Sequence, residues 1–167
     1  DGATKPAGWT DKETIAQWRL NLRLVLERAE SFKVGVNLEP HGPFTNNLEL
    51  MVKILKEFDS PWLGVNFDTG NTFIAGHDPL TYLKAIRPWL KHVHCKDVPQ
   101  EMAAANRGEE TGIASSAVSI GNGANAANIK ACIGYLQQTK WAGVFSVETL
   151  GTPRNIRESV AWLRSVI

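Results

Sequence analysis

Cysteine is scarce: Cys95 and Cys132 are the only two in 167 residues, and neither lies in a CxxC pair. Two cysteines cannot build the disulfide scaffold of a small secreted domain, so the expected setting is reducing and cytoplasmic. Long hydrophobic runs are absent too. No stretch approaches the roughly 20 apolar residues that span a bilayer, and none reads as a signal peptide, so no membrane partner is expected. Charge of one sign is also missing: Lys plus Arg number 18 against 17 Asp plus Glu, for a net charge of +1. The basic residues are scattered, which gives no electrostatic footprint for nucleic acid or an acidic partner.

The sequence is 43% hydrophobic and 21% charged, which suits one globular domain over residues 1–167 with a real core. The opening DGATKPAGW reads as a loop. Thr10 followed by Glu13 is the signature of a capping box. It heads a predicted helix over 11–31 with Ile15, Trp18, Leu22, Val25 and Leu26 on one face. Four strand-then-helix units follow. KVGVNLE (33–39) precedes a helix over 47–58, and LGVNFD (63–68) a helix over 79–87. HVHCK (92–96) leads into a long loop over 98–124 and a helix over 125–138. GVFSVE (143–148) precedes a helix over 153–167. This alternation implies an α/β fold with parallel strands and right-handed crossovers. Trp62, Trp89 and Trp141 stand beside turns or strand starts and are expected to pack.

Side chains alternate faces along a strand. Val34, Val36 and Leu38 share one face of the first strand, and Gly35, Asn37 and Glu39 the other. Leu63, Val65 and Phe67 oppose Gly64, Asn66 and Asp68. Val93 and Cys95 oppose His92, His94 and Lys96. Phe145 and Val147 oppose Val144, Ser146 and Glu148. A doubly wound sheet is apolar on both faces. Here one face is small or polar and ends in charged or imidazole groups, which fits a barrel whose site lies at the C-terminal rim of its strands.

Glu39, Asp68, His94 and Glu148 thus stand at or near the ends of four different strands, on the inner face. Taken singly, each acid could be a helix cap or a surface charge. Together, three carboxylates would repel one another without a cation, and with an imidazole they make an oxygen-rich site for one divalent metal: Mn, Co, Mg or Zn.

The stretches NLEPHG (37–42), VNFDTGN (65–71), HVHCKD (92–97) and SVE (146–148) resemble the xylose-isomerase-like TIM barrel superfamily of sugar isomerases and epimerases. The resemblance covers residues 33–166. It implies that Glu39, Asp68, His94 and Glu148 bind one metal, and that Glu39 and Glu148 move protons on opposite faces of a sugar. That chemistry is coherent. A metal chelated by a carbonyl and a neighbouring hydroxyl acidifies the adjacent C–H and stabilises a cis-enediolate, while a carboxylate on each face removes and returns the proton. Candidate substrate contacts for a sugar or sugar phosphate are His41, Asn71, Lys96 and Arg107. His41 would meet substrate or cap its loop. Asn71 stands where many epimerases of the family carry histidine. Lys96 would meet a substrate oxygen or neutralise a rim carboxylate. Arg107-Gly108 resembles an Arg-Gly that follows the metal histidine in related epimerases. Asp97 is a candidate partner for the second nitrogen of His94, with a cap or surface role as the alternative. His92 is expected below His94 in a structural role. GNGAN (121–125) is either a phosphate loop or a turn opening a helix.

A complete (β/α)₈ barrel takes about 250 residues. Four βα units and a leading helix are therefore expected to form its C-terminal half, completed by an N-terminal half or by a second copy in a homodimer. The alternatives to a metal-dependent isomerase are a truncated, inactive metal- or sugar-binding remnant and an AP endonuclease-like hydrolase. Only 4 His and no basic face argue against the hydrolase.

Overall fold

The chain enters its first helix, α1 (Asp11–Phe32), through the expected capping box. The Thr10 side chain accepts from the Glu13 N–H, and the Glu13 carboxylate accepts from the Thr10 N–H at 2.8 Å. A computed structural model describes residues 5–109 and 112–167. The start of the expected opening loop, residues 1–4, lies outside the described residues, as do Glu110 and Thr111 of the expected long loop. α1 ends on Lys33, which takes a left-handed conformation with φ 56° and donates its N–H to Ala29 and Glu30 carbonyls. That cap explains why the first strand, β1, is only Val36–Leu38 and not 33–39. Val34, expected on the packed face, is exposed.

The other strands are β2 (Leu63–Asp68), β3 (Leu90–Cys95) and β4 (Val144–Val147). All pairings are parallel and the order is β1-β2-β3-β4. Their register aligns Asp68 with His94 and His94 with Ser146. Outside the sheet lie α2 (Leu48–Phe58), α4 (Pro79–Ile86), α6 (Ala126–Gln138) and α7 (Pro153–Val166). Met51, Ile54 and Leu55 of α2 are fully buried, as are Tyr82, Leu83 and Ile86 of α4 and Ile129 and Ile133 of α6. They share one core with Leu63, Val65, Phe67, Val93 and Cys95 of the sheet. Each such aliphatic side chain contributes roughly 1.5–3 kcal/mol by leaving water. The three tryptophans pack against this core as expected, and both cysteines are buried and free.

Two helices were not expected. α3 (Thr69–Ile74) follows β2 without a loop, and every residue in it is buried. Burial on all sides removes the apolar stripe by which a helix is recognised. α5 (Gln100–Asn106) occupies part of the segment expected to be an irregular loop over 98–124. Its QEMAAAN sequence is helix-forming in composition but too short for periodicity. Among the described residues no helix is long and apolar enough to cross a membrane.

Candidate metal centre

Each candidate ligand is delivered by the C-terminal end of its own strand. Glu39 and Glu148 lie one residue beyond β1 and β4, Asp68 closes β2, and His94 is the penultimate residue of β3. One ligand atom from each of the four comes within 4.8 Å of the others. The four residues expected from sequence are therefore brought together.

Asp68 is fully buried and held from behind. Its Oδ1 accepts from the N–H groups of Gly70 and Asn71, both at 2.8 Å, so the same carboxylate caps α3. Its Oδ2 lies 2.9 Å from Lys96 Nζ. Lys96 Nζ also stands 2.6 Å from Glu148 Oε1. His94 Nδ1 lies 2.9 Å from Glu148 Oε2 and 3.4 Å from Glu39 Oε2. Asp68 Oδ2 and Glu148 Oε2 are buried and have no well-directed hydrogen bond among the described residues. Two buried carboxylate oxygens held only by close contacts to a lysine and an imidazole, beside a third carboxylate, are what a divalent cation would satisfy.

The electrostatics agree. Burial pushes the Asp68 carboxyl up, against the pull of Lys96. Burial also disfavours charge on Glu148, but hydrogen bonds and charge from His94 and Lys96 outweigh it and hold that carboxyl well below its usual range. Hydrogen bonds to Glu148 and Glu39 raise the His94 imidazole to about 10. Burial disfavours the Lys96 ammonium, yet Asp68 and Glu148 keep it above its ordinary value.

The remaining candidates divide. Lys96 is 5% exposed and takes the second of its two expected roles, neutralising carboxylates at the rim. Asn71 is fully buried; its Nδ2 reaches Glu39 Oε1 at 3.4 Å, and its Oδ1 accepts from Lys96 Nζ and from the Ala114 N–H. It braces the site from within. The backbone of His41 exchanges hydrogen bonds with the Thr45 hydroxyl. With Glu39, Asn37, Trp18, Leu38 and Thr45, His41 bounds a cavity of about 290 Å³ beside the site. A larger cavity of about 770 Å³, between the start of α2 and Ala75 to His77, contains none of the four ligands. Arg107 is engaged elsewhere: its guanidinium stacks 4.5 Å from the Phe73 ring centre and its Nε donates to the Phe73 carbonyl at 3.3 Å.

Asn66 escaped the sequence reasoning as a site residue. It lies two residues before Asp68, hence on the same strand face. Its Nδ2 donates to Glu39 Oε2 at 2.6 Å and lies 3.0 Å from His94 Nδ1, linking two of the four candidate ligands. The rule that located the ligands would have found it, since Asn37, His92 and Ser146 likewise stand two residues before theirs. His92 fills the structural role expected of it, with Nε2 2.7 Å from Ser146 Oγ.

Asp97 is neither the partner of His94 nor a surface charge. It is buried, and its carboxylate accepts from the N–H groups of Val98, Gly121, Gly123 and Asn125 at 2.8–2.9 Å. A Cβ at Gly123 would stand 2.4 Å from Asp97 Oδ1, so only glycine lets the backbone approach this closely. GNGAN is therefore a turn wound around an internal carboxylate; the N–H groups that a phosphate would use are occupied. Asp97→Ala is expected to strand those donors and cost about 3 kcal/mol. Urea unfolding would measure it.

Four parallel βα units with this acid–histidine rim define a class, and the chain belongs to the xylose isomerase-like TIM barrel family, whose profile matches residues 2–166. It is 31% identical over 78 residues to a 3-dehydroshikimate dehydratase of Bacillus anthracis, covering 46% of this chain and 28% of that protein. It is 42% identical over 50 residues to an inosose dehydratase of Bacillus thuringiensis (strain Al Hakam), covering 30% of this chain and 17% of that protein. In fold it is similar to a D-tagatose 3-epimerase-like protein, with a TM-score of 0.76 at 22% identity over 96% of this chain and 58% of the other. The chain thus spans only part of the length of the relatives it matches.

Proposed function

We propose that the chain carries the metal-binding part of a divalent-metal-dependent sugar isomerase or epimerase that moves a proton at the carbon beside a carbonyl. The observation that carries this reading is the convergence of Glu39, Asp68, His94 and Glu148, with the two glutamates on the same nitrogen of His94. Asp68, His94 and the glutamates would hold the ion, which would be Mn, Co, Mg or Zn and would polarise the substrate's carbonyl and adjacent hydroxyl. Asp68, pinned by two backbone N–H groups, is a fixed ligand. Glu39 and Glu148 would be the two carboxylates that act at the reacting carbon, one removing the proton and the other returning it. The substrate is a sugar or sugar phosphate.

The dehydratase names of the curated relatives favour a second reading. Dehydrating a β-hydroxy ketone begins with the same C–H cleavage. The electron pair then forms the C=C bond while the C–O bond breaks, and the hydroxyl leaves as water after accepting a proton.

The test is to incubate the full Mn²⁺-loaded chain in D₂O with candidate ketoses and with an inosose, and to follow both by NMR. Deuterium appearing beside the carbonyl without loss of water supports the isomerase; an enone product supports the dehydratase. Glu39→Gln is expected to slow either process at least about 100-fold. Neither exchange nor enone from a chain that binds one Mn²⁺ would overturn the proposal.

A further inference from the structure

The rim supplies its own cation. Lys96 Nζ lies 2.6 Å from Glu148 Oε1 and 2.9 Å from Asp68 Oδ2, and it donates to Asn71 Oδ1 at 3.2 Å. A lysine stem is normally flexible, but this one is buried against the first turn of α3. A Cβ on Gly70 would fall 2.6 Å from Lys96 Cγ, so that glycine makes the groove the stem occupies. The main chain is tied as well: the Lys96 N–H donates to Thr69 Oγ1 at 2.9 Å, and that hydroxyl donates to the Lys96 carbonyl at 3.0 Å. The ammonium is delivered to one place.

Two consequences follow from that place. Glu39, Asp68 and Glu148 carry three negative charges as ligands, and the Lys96 charge leaves two, which one divalent ion neutralises beside a neutral His94. The oxygens are apportioned in the same way. Asp68 Oδ1 is taken by backbone N–H groups and Glu148 Oε1 by Lys96, so the cluster is met by Glu148 Oε2, which lies 2.9 Å from His94 Nδ1, and by Asp68 Oδ2, which an ion would share with Lys96 at 2.9 Å.

We infer that Lys96 is a positioning residue that acts as an internal counter-ion: it draws Asp68 and Glu148 together before the metal arrives and leaves Glu148 one oxygen, Oε2, on the His94 side of the cluster. This rests on the metal-site reading above. It predicts that the metal-free protein depends on Lys96 more than the metal-loaded protein does, since the ion supplies the same positive charge between the same carboxylates.

The test compares the full chain with Lys96→Met by thermal unfolding in EDTA and in saturating Mn²⁺, and by Mn²⁺ titration calorimetry. Lys96→Met is expected to unfold at lower temperature in EDTA, to gain more from Mn²⁺ than the native chain, and to bind Mn²⁺ about tenfold more tightly. Adding Glu148→Gln should recover part of the stability lost in EDTA, because one of the two abutting charges is gone. A variant that folds only when Mn²⁺ is present is the same result in stronger form. Unchanged unfolding in EDTA, or Mn²⁺ binding that is equal or weaker, overturns the counter-ion role while leaving the metal site standing. A native chain that binds no Mn²⁺ overturns the metal reading instead, and the EDTA comparison alone then decides the role of Lys96.

Discussion

Glu148→Gln is expected to abolish stoichiometric metal binding, with Mn²⁺ affinity falling at least about 100-fold, the upper end of what loss of a mere supporting partner costs. The substitution removes one of three ligand charges and turns one of the two carboxylate oxygens into an amide donor. If that NH₂ faces His94 Nδ1, where Oε2 now lies at 2.9 Å, the nitrogen the metal needs meets a donor; if it faces Lys96, where Oε1 now lies at 2.6 Å, two donors abut. The apolar core is untouched by the change, because the Glu148 side chain is 38% exposed and lies outside it. Metal content of protein purified without chelator is the direct measurement. About one equivalent in the native chain and none in a folded Glu148→Gln variant is the expected pair. No metal in the native chain, even after incubation with Mn²⁺, would remove the basis for the proposed function.

The rim was legible in the sequence because strand alternation is strict and each candidate ligand closes or adjoins a strand. A period of two assigns Glu39, Asp68, His94 and Glu148 to one face without knowledge of any contact. Packing was legible for the same reason: Leu63, Val65 and Phe67 are apolar on alternate positions, and they meet the helices. What could not be read is whatever depends on the path of a loop or the exit of a helix. Lys33 stops β1 from starting early by capping α1 in a left-handed conformation, and lysine does not advertise that geometry. Arg107 stands beside a glycine in a pattern that suggests substrate contact, but the short helix α5 carries it onto Phe73. Asp97 lies just past β3, yet its carboxylate is turned to backbone groups more than twenty residues later in the chain, a partnership that only folding reveals.

Metal binding is expected to release close to one proton per Mn²⁺ near pH 8, and this second effect turns on His94. In the metal-free site its imidazole is raised to about 10 because Nδ1 serves two carboxylates, Glu148 at 2.9 Å and Glu39 at 3.4 Å. A histidine ligates only through a neutral ring, so the ion must displace that proton. Affinity should therefore rise with pH, by up to about tenfold per unit below pH 10. Titration calorimetry in buffers of different ionisation enthalpy counts the protons directly. The sign for stability is the reverse. A folded-state value above the ordinary 6.5 stabilises the protein fully below pH 6.5, and that stabilisation is lost as pH rises toward about 10. For a side chain 26% exposed, solvent screening reduces the loss to about 2 kcal/mol. Thermal unfolding in EDTA should accordingly shift downward between pH 6.5 and 9, whereas the Mn²⁺-saturated protein, whose His94 is neutral throughout, should not follow. Glu148 acts at the other end: its depressed carboxyl stabilises the metal-free fold above its ordinary range, and that contribution fades only as pH falls through the lowered value. A proton count near zero at pH 8 would mean that His94 is already neutral before the metal arrives, and that the two glutamates do not grip it as their distances imply.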